Sequence, residues 1–176
     1  WDLCDQRFHG KDLLPLWVAD MDFECAPAIN EIIRKRSEHG LYGYTFQPQK
    51  LTDAIVQWNK RRHHWEVDSD SIVYSSGVVP SLILAIHAFS NPGDKIIIQS
   101  PVYYPFFDIV PKNDRQLVLN PLKKQEDHYQ MDFDQLRSVI KGTKMLLLCS
   151  PHNPVGRVWK KEELLELGKI CFLVQN

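Results

Sequence analysis

Two runs of sequence constrain the fold more than any other feature. Lys95-Ile-Ile-Ile-Gln99 and Met145-Leu-Leu-Leu-Cys149 are apolar at consecutive positions, not at alternate ones. A strand with one face in water alternates apolar and polar side chains. A continuous run needs cover on both faces, as in a parallel sheet held between helices. The surrounding spacing agrees. Ile72-Val-Tyr74 and Gln116–Asn120 read as further strands, and Asn91-Pro-Gly-Asp94 as a turn. Helical periods run over 79–89, after the Pro101 loop, over 134–141 with Asp132 or Asp134 as cap, and over 162–171. Strands alternating with helices predict an α/β fold, a mostly parallel sheet with flanking helices.

Before residue 72 the pattern differs. Residues 1–25 read as loop. A helix is expected from Pro27 through Ile29, Ile32, Ile33 and Arg36, closed by His39-Gly40. LYGYTFQP is irregular and aromatic, and residues 51–65 return to helical period. The 176 residues carry a formal charge of −1 with no basic block, so the footprint of a nucleic-acid binder is missing. No apolar run approaches the roughly 20 residues that span a bilayer, and the first residues do not resemble a secretory signal. Cys4, Cys25, Cys149 and Cys171 lie far apart without metal-ligand spacing, which reads as free thiols in a cytoplasmic protein and assigns no metal. The chain opens on Trp1, which gives the expectation of a preceding portion. KRRHH (60–64) and the lysine pairs 123–124 and 160–161 read as solvated faces.

In open α/β sheets ligands bind outside the carboxyl ends of the strands, which directs attention to three loops. SSGVVPS (75–81) has the composition of an anion cradle, with N–H groups at Val78 and Val79 and hydroxyls at Ser75, Ser76 and Ser81; it also reads as a plain strand-to-helix turn. SPVYYP (100–105) offers Tyr103 or Tyr104 for stacking on a flat ring, with one of the two expected in the core. SPHNPVG (150–156) sets Asn153 between two prolines, either as a positioned amide donor or as a turn former. His152 reads as an incidental loop histidine. Asp20 and Asp22 in WVADMDF are a candidate carboxylate pair or turn formers, and YGY (42–44) a phosphate-contacting or anchoring element.

Taken together, LPLWVADMDF (14–23), HGLYGYT (39–45), VVPSLILAI (78–86), SPVYYPF (100–106) and MLLLCSPHNPVGRVW (145–159) resemble the fold type I pyridoxal-phosphate (PLP) enzymes of the class I/II aminotransferase superfamily. The closer likeness is to the cystathionine β-lyase-like C–S lyases, the MalY/PatB group. It covers essentially the whole chain and matches the N-terminal portion of that fold. The resemblance implies residues 1–45 as small-domain and dimer-contact segment, and 46–176 as the N-terminal part of the large PLP-binding domain. It implies Val78 and Val79 on the cofactor phosphate, Tyr103 on the pyridine ring and Asn153 on the ring's 3-hydroxyl oxygen. Tyr44 would reach the phosphate of the neighbouring subunit in a homodimer, and Ala19 and Asp20 would line the substrate side. The implied reaction is α,β-elimination from cystathionine- or cysteine-type amino acids to pyruvate, ammonia and a thiol.

The lysine that forms the family's Schiff base, the acid on the pyridine nitrogen and the arginine for the substrate carboxylate lie past the SPHNPVG helix in that family. CFLVQN (171–176) does not continue the family pattern, and Lys169 matches no Schiff-base motif. The expectation is therefore a truncated chain without a catalytic residue of its own, inactive alone. Two other readings stand beside it: an aminotransferase of the same fold, and a non-catalytic remnant. A dinucleotide-binding fold is disfavoured, since no glycine fingerprint follows the first strand.

Overall fold

The computed structural model describes residues 4–9, 13, 14, 19 and 21–173, and divides the chain into two compact units, 1–71 and 72–176. In the first unit α1 spans Cys4–Phe8, α2 Pro27–His39 and α3 Gln49–His63, followed by a short 3-10 turn at Ser69–Ser71. Helix α2 starts on Pro27, whose missing N–H costs a first helical turn nothing. It stops at Gly40, which takes φ 69° and turns its N–H onto the Ser37 carbonyl. On its surface Arg34 is paired with Glu31 and Glu38, three and four residues away. Helix α3 ends in Lys60-Arg-Arg-His63, with the cations Lys60, Arg61 and Arg62 placed where the helix dipole is negative, and Arg61 and Arg62 lie 5.8 and 5.3 Å over the Trp58 ring. Neither α2 nor α3 has a buried residue.

The second unit carries α4 (Val78–Phe89), β1 (Lys95–Ile98), α5 (Pro105–Ile109), β2 (Gln116–Leu119), β3 (Lys123–Gln125), β4 (His128–Gln130), α6 (Phe133–Val139), β5 (Thr143–Leu147) and α7 (Lys161–Leu173). Strands β2, β1 and β5 form a parallel sheet in that order, with Ile98 opposite Leu119 on one side and Leu147 on the other. The continuous run of β1 has the structure its composition demands. Ile96 and Ile98 enter one cluster with Ile86 of α4, Phe106 and Ile109 of α5, and Val110. Ile97, pointing to the other face, enters a second cluster with Leu136 of α6 and Leu167 and Ile170 of α7. All three isoleucines are fully buried. The loop before β1 is the expected turn: Asn91 N–H donates to the Asp94 carboxylate (2.7 Å) and Asp94 N–H to the Asn91 carbonyl (3.1 Å).

Two expectations are corrected, and one element appears that none anticipated. Residues 72–74 are not a strand; the ladder runs over β2, β1 and β5 only, and Val73 stays 90% exposed because no described strand pairs with it. Residues 123–130 form an antiparallel hairpin, β3–β4, that hydrophobic patterning does not reveal because its strands are polar and three residues long. Residues 4–8 are a helix where loop was expected.

Candidate functional site

The carboxyl ends of β1 and β5 lead into the loops holding Tyr103 and Asn153, and α4 opens with Val78 and Val79. Gly77 stands at the N-cap of α4, and no side chain caps the helix. The N–H groups at the first helical positions, Val78 and Val79, have no carbonyl available within the helix. Ser75 and Ser81 are not aimed outward: both hydroxyls bond the Gly77 carbonyl, at 3.0 and 2.9 Å, and each other. The donors left for an anion are thus the exposed Ser76 hydroxyl and the backbone N–H groups at the positive end of a twelve-residue helix.

In the loop after β1 neither tyrosine is in the core, a correction to the expectation that one would be. Tyr103 is 37% and Tyr104 72% exposed, edge-on with ring centroids 5.1 Å apart. Val102 and Phe106 take the buried places on either side of them. Both rings are thus accessible at the carboxyl end of β1, Tyr103 the less exposed of the two.

In the loop after β5, Asn153 is exposed, and its backbone N–H approaches Cys149 Sγ at 3.5 Å. Among the described residues its side-chain amide meets no hydrogen-bond partner, so it is available to a ligand. The loop itself is firmly braced. His152 N–H donates to the Arg157 carbonyl (2.7 Å), Gly156 N–H to the His152 carbonyl (2.8 Å), and Trp159 Nε1–H to the Cys149 carbonyl (2.8 Å). Arg157 lies 4.8 Å over the Trp159 ring, grips both carboxylate oxygens of Glu163 (2.8 and 2.7 Å) and donates to the Tyr129 carbonyl. Val79, Val102 and Cys149 pack on one apolar cluster, which joins α4's first turn to the bases of both loops.

Behind the loops lies a buried amide network that sequence reasoning missed. Gln99 Nε2 donates to Asn120 Oδ1 (3.0 Å), and Asn120 Nδ2 donates to the Asp132 carbonyl (3.1 Å) and to Gln135 Oε1. The available signal was Gln99 itself, a polar residue closing a fully apolar run. The loop position of His152 predicts an incidental residue, yet it is 1% exposed. Among ionisable groups here, Asp132 is held below the usual carboxylate range by the Gln135 N–H it accepts and then by Lys123, 2.9 Å away.

Ala19 and Tyr44 belong to the first unit, Tyr44 with its ring fully exposed. Asp20 lies outside the described residues. Among the described residues no group of three or more His, Cys, Asp or Glu could hold a metal ion, the four cysteines are free, and no helix is long and apolar enough to cross a membrane.

An uncapped helix N-terminus, an outward aromatic face and an unengaged amide suit a flat heteroaromatic ligand that bears a phosphate. The comparisons with known proteins point the same way. The model of the family described as aminotransferase class I and II matches residues 11–172. Cystathionine β-lyase PatB of Bacillus subtilis is 44% identical over 97% of this chain and 45% of its own length. A PLP-bound protein of Clostridium difficile 630, designated an aminotransferase, superposes with a TM-score of 0.93 at 45% identity, covering 99% of this chain and 46% of its own. Cystalysin from Treponema denticola, which contains PLP, superposes with a TM-score of 0.90 at 38% identity, covering 98% and 45%. The chain thus spans about half the length of the curated relatives it matches.

Proposed function

Since the chain belongs to the aminotransferase class I and II family, whose fold type I members are PLP-dependent enzymes, we propose that it forms the cofactor-holding part of a PLP-dependent C–S β-lyase. The substrates are cystathionine- or cysteine-type amino acids and the products pyruvate, ammonia and a thiol. The observation that carries the lyase reading is the 44% identity to a cystathionine β-lyase across 97% of the chain. An aminotransferase of the same fold is the second reading, favoured by relatives such as the asparagine–oxo-acid transaminase of Streptococcus mutans, 30% identical.

In this reading the N–H groups of Val78 and Val79 bind the PLP phosphate, helped by the α4 dipole. Tyr103 stacks on the pyridine ring and Asn153 donates to the 3-hydroxyl oxygen, which fixes the ring's rotation in its plane. Tyr44 serves the phosphate of the neighbouring subunit in a homodimer, with residues 1–45 in the small domain and its dimer contacts and 46–176 in the large domain. Ala19 and Asp20 line the substrate side, and the enzyme works in the cytoplasm. When bound, PLP supplies the electron sink that makes an amino acid's α-proton removable, while the protein supplies orientation and electrostatics.

We assign no Schiff-base lysine within the 176 residues. Lys95 opens β1 and Lys144 is the second residue of β5, both at the end opposite the loops, and Lys169 is exposed on α7, 3.8 Å from Glu166. Taken alone, these residues are inactive in this account. The test uses the complete translated product, comparing pyruvate release from cystathionine with amino transfer to a 2-oxo acid. Pyruvate release supports the lyase. Amino transfer without it supports the second reading, and neither activity overturns both. Borohydride reduction of the 176-residue chain with PLP checks the lysine assignment, which specific labelling at a single lysine would refute.

A further inference from the structure

His152 is among the most deeply buried polar side chains of the molecule and makes none of the proposed ligand contacts. Its Nε2 lies 2.9 Å from the Pro101 carbonyl oxygen. A carbonyl only accepts, so Nε2 carries the hydrogen and donates. That tautomer leaves Nδ1 a lone-pair acceptor, and Nδ1 is buried without a partner. A buried acceptor left unsatisfied is unfavourable. A phenylalanine would fill the same space without that cost, so packing alone does not account for the imidazole. What the imidazole adds is the bond to Pro101.

That bond joins two loops at a telling place. Pro101 stands two residues before Tyr103, and His152 one residue before Asn153. The backbone of His152 closes the turn that presents Asn153, through its N–H on Arg157 and its carbonyl to Gly156. Its ring meets Trp159 edge-on, with centroids 5.4 Å apart at 86°, so one neighbour fixes the ring plane while the donor reaches the other loop. We propose that His152 is a positioning residue whose Nε2–H bond to the Pro101 carbonyl sets the Tyr103 loop against the Asn153 loop, so that ring stacking and the 3-hydroxyl contact serve the same PLP molecule. The inference rests on the functional reading above and goes beyond it in assigning a role to a residue that touches no ligand.

The test is a PLP titration of the complete translated product in its apo form, with apo melting temperatures measured alongside. His152→Phe keeps the ring and its packing on Trp159 but removes the donor. His152→Gln keeps an N–H at comparable reach. H152F should raise the PLP Kd about tenfold, and H152Q should return it to within about twofold of the parent. In an Asn153→Ala background the H152F penalty should largely vanish, because the strap acts through Asn153. Should H152F fail to fold, His152→Met fills the site without an N–H and is compared with H152Q in its place. An unchanged Kd in the donor-less variant, or a full penalty persisting in the N153A background, overturns the strap while leaving PLP binding intact. A parent without PLP affinity overturns the functional reading and the strap with it.

Discussion

Asn120 and Asn153 are the same side chain in opposite settings. Asn120 is fully buried at the end of β2, with both ends of its amide engaged by Gln99, Gln135 and the Asp132 carbonyl. Asn120→Ala strands the Gln99 donor in the interior, while the Asp132 carbonyl keeps the Leu136 N–H. Denaturant unfolding should therefore show a loss of about 1–3 kcal/mol. Asn153 is exposed, and its backbone is fixed by the turn around it. Asn153→Ala should leave the unfolding midpoint nearly unchanged and raise the PLP Kd about tenfold. The chemical types at the site were legible in the sequence because prolines, a glycine and a helix start bracket them. His152 and Gln99 were not, since their roles come from burial and from partners 51 and 21 residues away.

At the scale of elements, β1 is central. Ile97 lies on the face packed against α6 and α7, and Ile97→Ala should cost about 2–5 kcal/mol by chemical denaturation, as expected where flanking helices limit collapse of the void. Helix α6 is pinned at its start by Asp132, which accepts from the Gln135 N–H at 3.0 Å and pairs with Lys123 of β3. Its folded-state pKa is lowered, so its contribution is complete above the unfolded carboxyl value and is lost as pH falls through the folded one. Amide protection of Gln135 and Leu136 should therefore fall below about pH 4. Asp132→Asn, still a good cap but without charge, should flatten that dependence. Helices α2, α4, α6 and α7 and strands β1, β2 and β5 were readable because periodicity and caps mark them locally. The β3–β4 hairpin was not, because Lys123-Lys-Gln and His128-Tyr-Gln carry no apolar alternation. Residues 72–74 have strand composition, but composition cannot supply a partner.

For the whole molecule, the 176 residues expose much apolar surface. Ile32, Ile33, Leu41 and Phe46 in the first unit and Leu165 and Phe172 on α7 are all more than half exposed. Produced as such, the chain should bind a hydrophobic dye strongly and self-associate with rising concentration, measured by fluorescence and light scattering. The central claim is that α4's first turn and the loops after β1 and β5 hold one PLP. It is tested most directly by a crystal structure of the complete translated product grown with PLP. The phosphate should lie on the N–H groups of Val78 and Val79, the ring against Tyr103 and the 3-hydroxyl oxygen on the Asn153 amide. A cofactor bound elsewhere, or bound here with Asn153 turned away from the ring, would contradict it.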